Sequence, residues 1–414
     1  MASTSILPPD ILPSYSVSQP PPCYSCSLAC GEQLIQRTPR VGSRPSGTFK
    51  KRSGGTTVLL TEQNDDATVP SYGRHGSVNG LVAFENREHV TEVKAKLVGQ
   101  MRLIIPGASS RQLTLVNEHQ TLWSSNSTAA SSSTCPGTIP FSFTFPTTFK
   151  DKSDSYPLPP SFDLSCLGPS GLTASVKYTI EVKVVKGHTR GLGLWPKDKK
   201  ITIPIKYMPR SRPPHPILSE SDLFPDIKVS PEEWHQTLTT INSRSPETIP
   251  PLNAHIFIPS TKVFAYGETI PLHVQVNGPL VSLGDISGQS PDSKGRPPAI
   301  QVHLLRQVSI DVNGSKAWRN SILAHGQLRA IPPPMSSITN SACSREDSLD
   351  WEGELQVPKN VNCPSFNVGG LIVKDFVVLT VIPAEPRKSS LQYHQSSVSI
   401  RLVTDTWSEI PTAP

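Results

Sequence analysis

The stretch VKYTIEVKVV, Val176 to Val185, alternates without a break. Val176, Tyr178, Ile180, Val182 and Val184 point one way; Lys177, Thr179, Glu181 and Lys183 point the other. That is the pattern of a strand with one dry and one wet face, as antiparallel sandwiches require. Each aliphatic side chain contributes roughly 1.5–3 kcal/mol when buried, enough for the segment to pin the register of a sheet. A counterpart lies far downstream in VKDFVVLTVI, Val373 to Ile382, apolar on both faces and therefore expected to be the more deeply covered. Leu-Pro-Pro-Ser-Phe (158–162) precedes the first copy and Cys-Pro-Ser-Phe (363–366) the second.

The duplication extends upstream. Ser71-Tyr72-Gly73 and the alternating run 77–84 are matched by Ala265-Tyr266-Gly267 and the run 269–276; 93–98 is matched by 300–305. The chain therefore reads as two copies of one all-β unit. Composition agrees: 414 residues suit two domains, and 43 Pro and 26 Gly divide the chain into short strands rather than helices. The boundaries read as a disordered Pro-rich tail 1–30, a first sandwich 31–208, a linker 209–251, a second sandwich 252–405 and a short tail 406–414. Within the linker, Ser230-Pro-Glu-Glu has the pattern of a helix start. Residues 283–298 and 331–349 read as loop insertions.

No run is long enough to span a membrane, and the first residues lack the basic start and apolar core of a secretory signal. An intracellular chain is expected, with its seven Cys mostly reduced. Charge is uneven. Residues 31–210 hold 23 Lys and Arg against 13 Asp and Glu, whereas 211–414 hold 16 against 19. The first unit is thus the one suited to an anionic surface, such as a membrane leaflet or an acidic peptide, and a merely solvated basic surface is the plain alternative. Nucleic acid is not expected, because the charges are not interleaved with aromatics.

Tandem units in this order resemble the arrestin fold. Tyr72-Gly73 with Val78, Gly80 and Val82, Pro140-Phe-Ser-Phe143, 158–162 and 176–182 are similar to the N-terminal domain of the fungal α-arrestins, the arrestin-related trafficking adaptors, and Lys262 to Val403 is similar to their C-terminal domain. The resemblance implies two tandem immunoglobulin-like β-sandwiches and an adaptor role. It also implies a cytoplasmic protein, peripheral at the plasma membrane or endosomes. Such an adaptor binds membrane transporter or receptor cargo and recruits a HECT-type ubiquitin ligase that marks the cargo for endocytosis.

That role needs a ligand for WW domains. Pro21-Pro22-Cys23-Tyr24 has the Pro-Pro-x-Tyr form and Leu12-Pro13-Ser14-Tyr15 the related Leu-Pro-x-Tyr form. Prolines preset the polyproline II conformation, and two sites on one tail suit a tandem-WW partner; a chance match in a Pro-rich chain is the alternative. Val69-Pro70-Ser71-Tyr72 is similar in letters, but its Tyr opens an expected strand. Lys150, Lys152, Lys197, Lys199 and Lys200, placed at loops, are candidate lipid contacts or ubiquitin acceptors. Cys23, Cys26 and Cys30 lack a fourth ligand for zinc, so no metal and no cofactor is expected. No nucleophile elbow, phosphate loop or His-Glu-x-x-His is present, and an enzyme is not expected. The alternatives are a sorting scaffold of the same fold that recruits no ligase, similar to the retromer's arrestin-fold subunit, and a secreted sugar-binding double sandwich.

Overall fold

The computed structural model describes residues 46–65, 67–125, 134–166, 168, 171–187, 198–217, 227–286, 298–332, 347–383 and 389–407, with residues 33, 34, 287 and 346 in backbone only. In chain order the first half holds β1 (Gln33–Leu34), β2 (Gly47–Ser53), β3 (Thr56–Gln63), β4 (Ser71–Tyr72), β5 (Ser77–Phe84), β6 (Val90–Ile105), β7 (Ser109–Ser124), β8 (Thr138–Thr144), β9 (Thr148–Asp151), β10 (Asp154–Pro157), β11 (Phe162–Cys166), β12 (Leu172–Lys186) and β13 (Lys199–Tyr207). The rest holds β14 (Ser211–Arg212), β15 (Trp234–Ile241), β16 (Leu252–Pro259), β17 (Val263–Ala265), β18 (Thr269–Pro279), helix α1 (Leu280–Ser287), β19 (Ile300–Val312), β20 (Ser315–His325), β21 (Gln327–Ile331), β22 (Glu346–Gln356), β23 (Phe366–Val368), β24 (Leu371–Val381) and β25 (His394–Val403).

The protein is an all-β chain of two sandwiches. In the first, the sheet β2-β3-β5-β8 faces β4-β13-β12-β6-β7, with β11 also on β12. In the second, β15-β16-β18-β22-β21 faces β17-β25-β24-β19-β20, with β23 also on β24. The copies correspond along most of their strands, with β21 and the hairpin β9–β10 as additions to one copy each. Even the two parallel pairings, β4 with β13 and β17 with β25, are repeated in ladders otherwise antiparallel.

The strand that begins the sequence reading is β12. Val176, Tyr178, Ile180, Val182 and Val184 are each at most 1% exposed, and β6 and β13 flank them. Its counterpart β24 is covered on both faces from Val377 to Val381, as its two-sided apolar pattern predicts. The Pro-Ser-Phe segments have a structural task that is the same in both copies. Ser161 N–H donates to Tyr207 O (2.8 Å), and Tyr207 N–H donates to Ser161 Oγ (2.9 Å). Ser365 does the same with Leu402 (2.8 Å to Oγ). Each serine ties the entry of the strand that pairs onto the central one, β11 or β23, to the end of β13 or β25.

One core position is solved differently in the two copies. Tyr178 lies opposite Gly99, where a Cβ would sit 2.7 Å from the tyrosine ring, and its hydroxyl donates to Pro159 O at 2.7 Å. The equivalent pair is Asp375 opposite Arg306, both buried. Arg306 donates through Nε and Nη2 to the Asp375 carboxylate at 2.8 and 2.9 Å and through Nη1 to Cys363 O at 2.9 Å; Ser365 Oγ completes the carboxylate at 2.7 Å.

The two sandwiches share apolar core. Val308, Ile310, Val312, Phe366, Val368, Leu371 and Val373 pack in one cluster with the first sandwich, and Phe162 meets Phe366 edge to face at 5.9 Å. Gly369 and Gly370, with φ of 53° and 88°, form the two-residue turn between β23 and β24, where only glycine takes both left-handed positions without cost. The tip presses on Met101, Leu113 and Phe149 of the first sandwich. On the other side of the junction Arg210 holds Asp405 through Nε and Nη2.

Several expectations are corrected. Trp234–Ile241, read as linker because prolines stand at both ends, is β15, paired along its whole length with β16. It is an edge strand, so Leu238 is 60% exposed and its apolar pattern is weak. The helix start at Ser230 yields only a 3₁₀ turn, Pro231–Glu233, with no side-chain cap. Residues 280–287, overlapping an expected loop insertion, form α1.

Candidate functional site

The outer face of β6, β12 and β13 in the first sandwich is rich in charged residues. Alternation sends their apolar residues into the core and their polar ones outward. Lys94, Lys183 and Lys200 lie directly opposite one another across the three strands. In the next row Lys96 stands beside Glu181, and Arg102, Lys177 and Lys206 lie further along the same face. Like charges in one cross-strand row are destabilising unless neutralised. Here Lys94 pairs with Glu92 (2.8 Å), Lys183 with Asp198 (2.6 Å), Lys200 with Glu181 (2.8 Å) and Lys177 with Asp163 (3.1 Å). Lys96, Arg102 and Lys206 have no carboxylate within 4.0 Å among the described residues.

Of the lysines singled out from the sequence, Lys200 belongs to this face. Lys199, its neighbour on β13, turns to the opposite side. Its ammonium donates to the carbonyls of Ser53 and, at 2.7 Å, Gly54, tying β13 to the β2–β3 turn; desolvation and the charge of Lys186 lower its pKa. Lys150 lies on β9 and Lys152 in the following turn at φ 54°. Lys150, Lys199 and Lys200 are therefore strand residues rather than loop residues, because the charged ends of β9 and β13 carry too little apolar pattern to mark them. The sequence choice missed Lys94, Lys96, Lys177, Lys183 and Lys206, although the polar half of each alternation marks them. Leu12, Pro13, Tyr15, Pro21, Pro22, Tyr24, Lys197 and the cysteines at 23, 26 and 30 lie outside the described residues.

Partner-accessible apolar groups sit on sheet edges. β20 and β15 are outer strands, carrying Trp318 (63% exposed), Ile322 and Leu238. Beside β20, at the junction of the sandwiches, is a cavity of about 380 Å³ lined by Phe162, Leu164, Val308, Arg319, Ile322 and Val361.

One constellation has the residue types of a hydrolase. His273 Nε2 lies 3.1 Å from Asp350 Oδ1, and Ser348 Oγ is 3.1 Å from Asp350 Oδ2. The serine donates to the carboxylate and not to the imidazole, so no base is aligned to activate it. Burial of Asp350 works against its ionisation, but hydrogen bonds from His273, Gln275 and Ser348 outweigh this and hold its pKa below the ordinary value. The buried Cys363 thiol is pushed up to about 12, chiefly by burial, and is no nucleophile. Tyr72 of the Val-Pro-Ser-Tyr segment is a core residue, its ring 6.1 Å from that of Phe145.

No helix among the described residues is long and apolar enough to cross a membrane. No protein-family model matches the chain, and no curated protein matches it in sequence.

Proposed function

We propose that the protein is an arrestin-like adaptor. It joins transporter or receptor cargo at the cytoplasmic face of the plasma membrane or endosomes to a HECT-type ubiquitin ligase. The observation that carries the reading is the repetition of one sandwich topology, with both copies fused through a shared core. Such a body has β15 and β20 as edge strands among the described residues, on which partner chains can add as strands. The ligase would be held through Pro21, Pro22 and Tyr24, with Leu12, Pro13 and Tyr15 as a second site. Two weak motifs on one tail gain from effective concentration when the partner has tandem WW domains.

The test is a titration of the full chain with a tandem WW fragment. Saturable binding is expected, weakened by Tyr24→Ala and abolished by Tyr15→Ala/Tyr24→Ala. Binding indifferent to both tyrosines would overturn the ligase arm and leave the sorting-scaffold alternative ahead.

A further inference from the structure

We infer that the outer face of β6, β12 and β13 is a docking surface for an anionic lipid bilayer. This deepens the adaptor reading and rests on it, because an adaptor for membrane cargo works beside such a surface. Three observations lead to it. The face concentrates basic residues from β6 and, some eighty residues later, from β12 and β13, and Lys96, Arg102 and Lys206 have no carboxylate within 4.0 Å among the described residues. The row Lys94–Lys183–Lys200 sets three like charges directly opposite one another, each offset within the fold by one solvent-accessible carboxylate. The same outward positions of the second copy have lost this character. Lys94, Lys96, Lys183 and Lys200 have Gln301, His303, Thr380 and Gln395 at the equivalent positions, although Lys177 keeps a lysine, Lys374, so the duplication alone does not account for the lysines.

The chemistry of the face selects a bilayer over a peptide or a nucleic acid. β6 lies between β12 and β7, and β12 between β6 and β13, so the ladder bonds at the centre of the patch are taken and a peptide cannot add there as a strand. No aromatic side chain stands among the outward positions of the three strands, so bases have nothing on which to stack. The face spans roughly 27 Å along β6 from Lys94 to Arg102 and about 10 Å across three strands. Over that area long, solvated side chains can reach many headgroups at once. The four existing ion pairs are exposed and weak, and a dense anionic surface can compete for their lysines.

The experiment is co-sedimentation of the full chain with phosphatidylcholine vesicles with and without phosphatidylserine. Binding only to the anionic vesicles is expected, falling steeply as salt shortens the screening length. Lys96→Gln/Arg102→Gln/Lys206→Gln removes the three uncompensated charges and is expected to weaken partitioning about a hundredfold. Lys96→Arg/Arg102→Lys/Lys206→Arg keeps the charge and should keep the binding. Lys359→Gln, in the second sandwich, should leave it unchanged.

Equal binding to neutral vesicles, or indifference to the triple neutralisation in protein with unchanged circular dichroism, overturns the proposal. So does a polyglutamate peptide or an oligonucleotide that binds through the same three residues while anionic vesicles do not. Loss of vesicle binding with WW binding intact fails this inference alone; loss of WW binding with vesicle binding intact fails the ligase reading alone.

Discussion

Asp375→Ala tests the buried polar network of the second sandwich. The carboxylate is fully buried and accepts from Arg306 Nε, Arg306 Nη2 and Ser365 Oγ. Removing it leaves a guanidinium in apolar surroundings with only Cys363 O and, at 3.6 Å, Cys363 Sγ as partners. Breaking one side of such a pair costs about 3–5 kcal/mol, a large fraction of the roughly 5–15 kcal/mol that holds a domain together. Replacing both charges by apolar groups of similar size removes the stranded ion, so Arg306→Met/Asp375→Leu is expected to cost at least 2 kcal/mol less than the two single changes together. The first copy offers a second double change, Arg306→Gly/Asp375→Tyr, which reproduces the Gly99–Tyr178 pair; it is expected to be more stable than either single change. Guanidinium denaturation followed by tryptophan fluorescence and circular dichroism measures all of these. An Asp375→Ala cost below about 1 kcal/mol, or strictly additive single changes, would refute the reasoning.

Gly370→Ala puts a Cβ 2.6 Å from Asp311 O at φ 88°, whereas Gly314→Ala, at φ 85°, meets nothing within 4 Å. Both carry left-handed strain of about 1 kcal/mol, so Gly370→Ala should be the more destabilising in denaturant titrations; equal costs would show that the turn yields. Because the sandwiches share a core, calorimetry of the full chain should give one transition, and Phe366→Ala should lower all of it by about 3–5 kcal/mol; two peaks with only one shifted would contradict the fusion. Asp350 has a lowered pKa in the folded state, so its contribution is complete above its unfolded value near 4 and is lost as pH falls through the lower folded value. Asp350→Asn should therefore cost stability at neutral pH and flatten the acid limb of the stability–pH curve.

The duplication was legible in the sequence because inward positions repeat. Tyr72 and Tyr266, the strands at 77–84 and 269–276, and the Pro-Ser-Phe segments all occupy equivalent places. Edge strands were the least legible. β15 buries little, so selection on its apolar pattern is weak, and the prolines around it read as linker. Equally hidden was the exchange of Gly99–Tyr178 for Arg306–Asp375, since a charged residue inside an alternating run looks like a register break until its partner is found opposite. For the candidate surface, each lysine was visible in its own strand. Their convergence was not, because it depends on the register between strands far apart in the chain.

The copies agree inside and disagree outside. Val176, Ile180 and Val184 find Val373, Val377 and Val381 at the same inward stations, while outside Glu181 stands where the second copy has Val378, which is 1% exposed. The internal symmetry is therefore invisible to anything that approaches from solvent. A partner meeting this molecule meets a body with a distinguishable front and back, and a chain built by repetition can be held one way round.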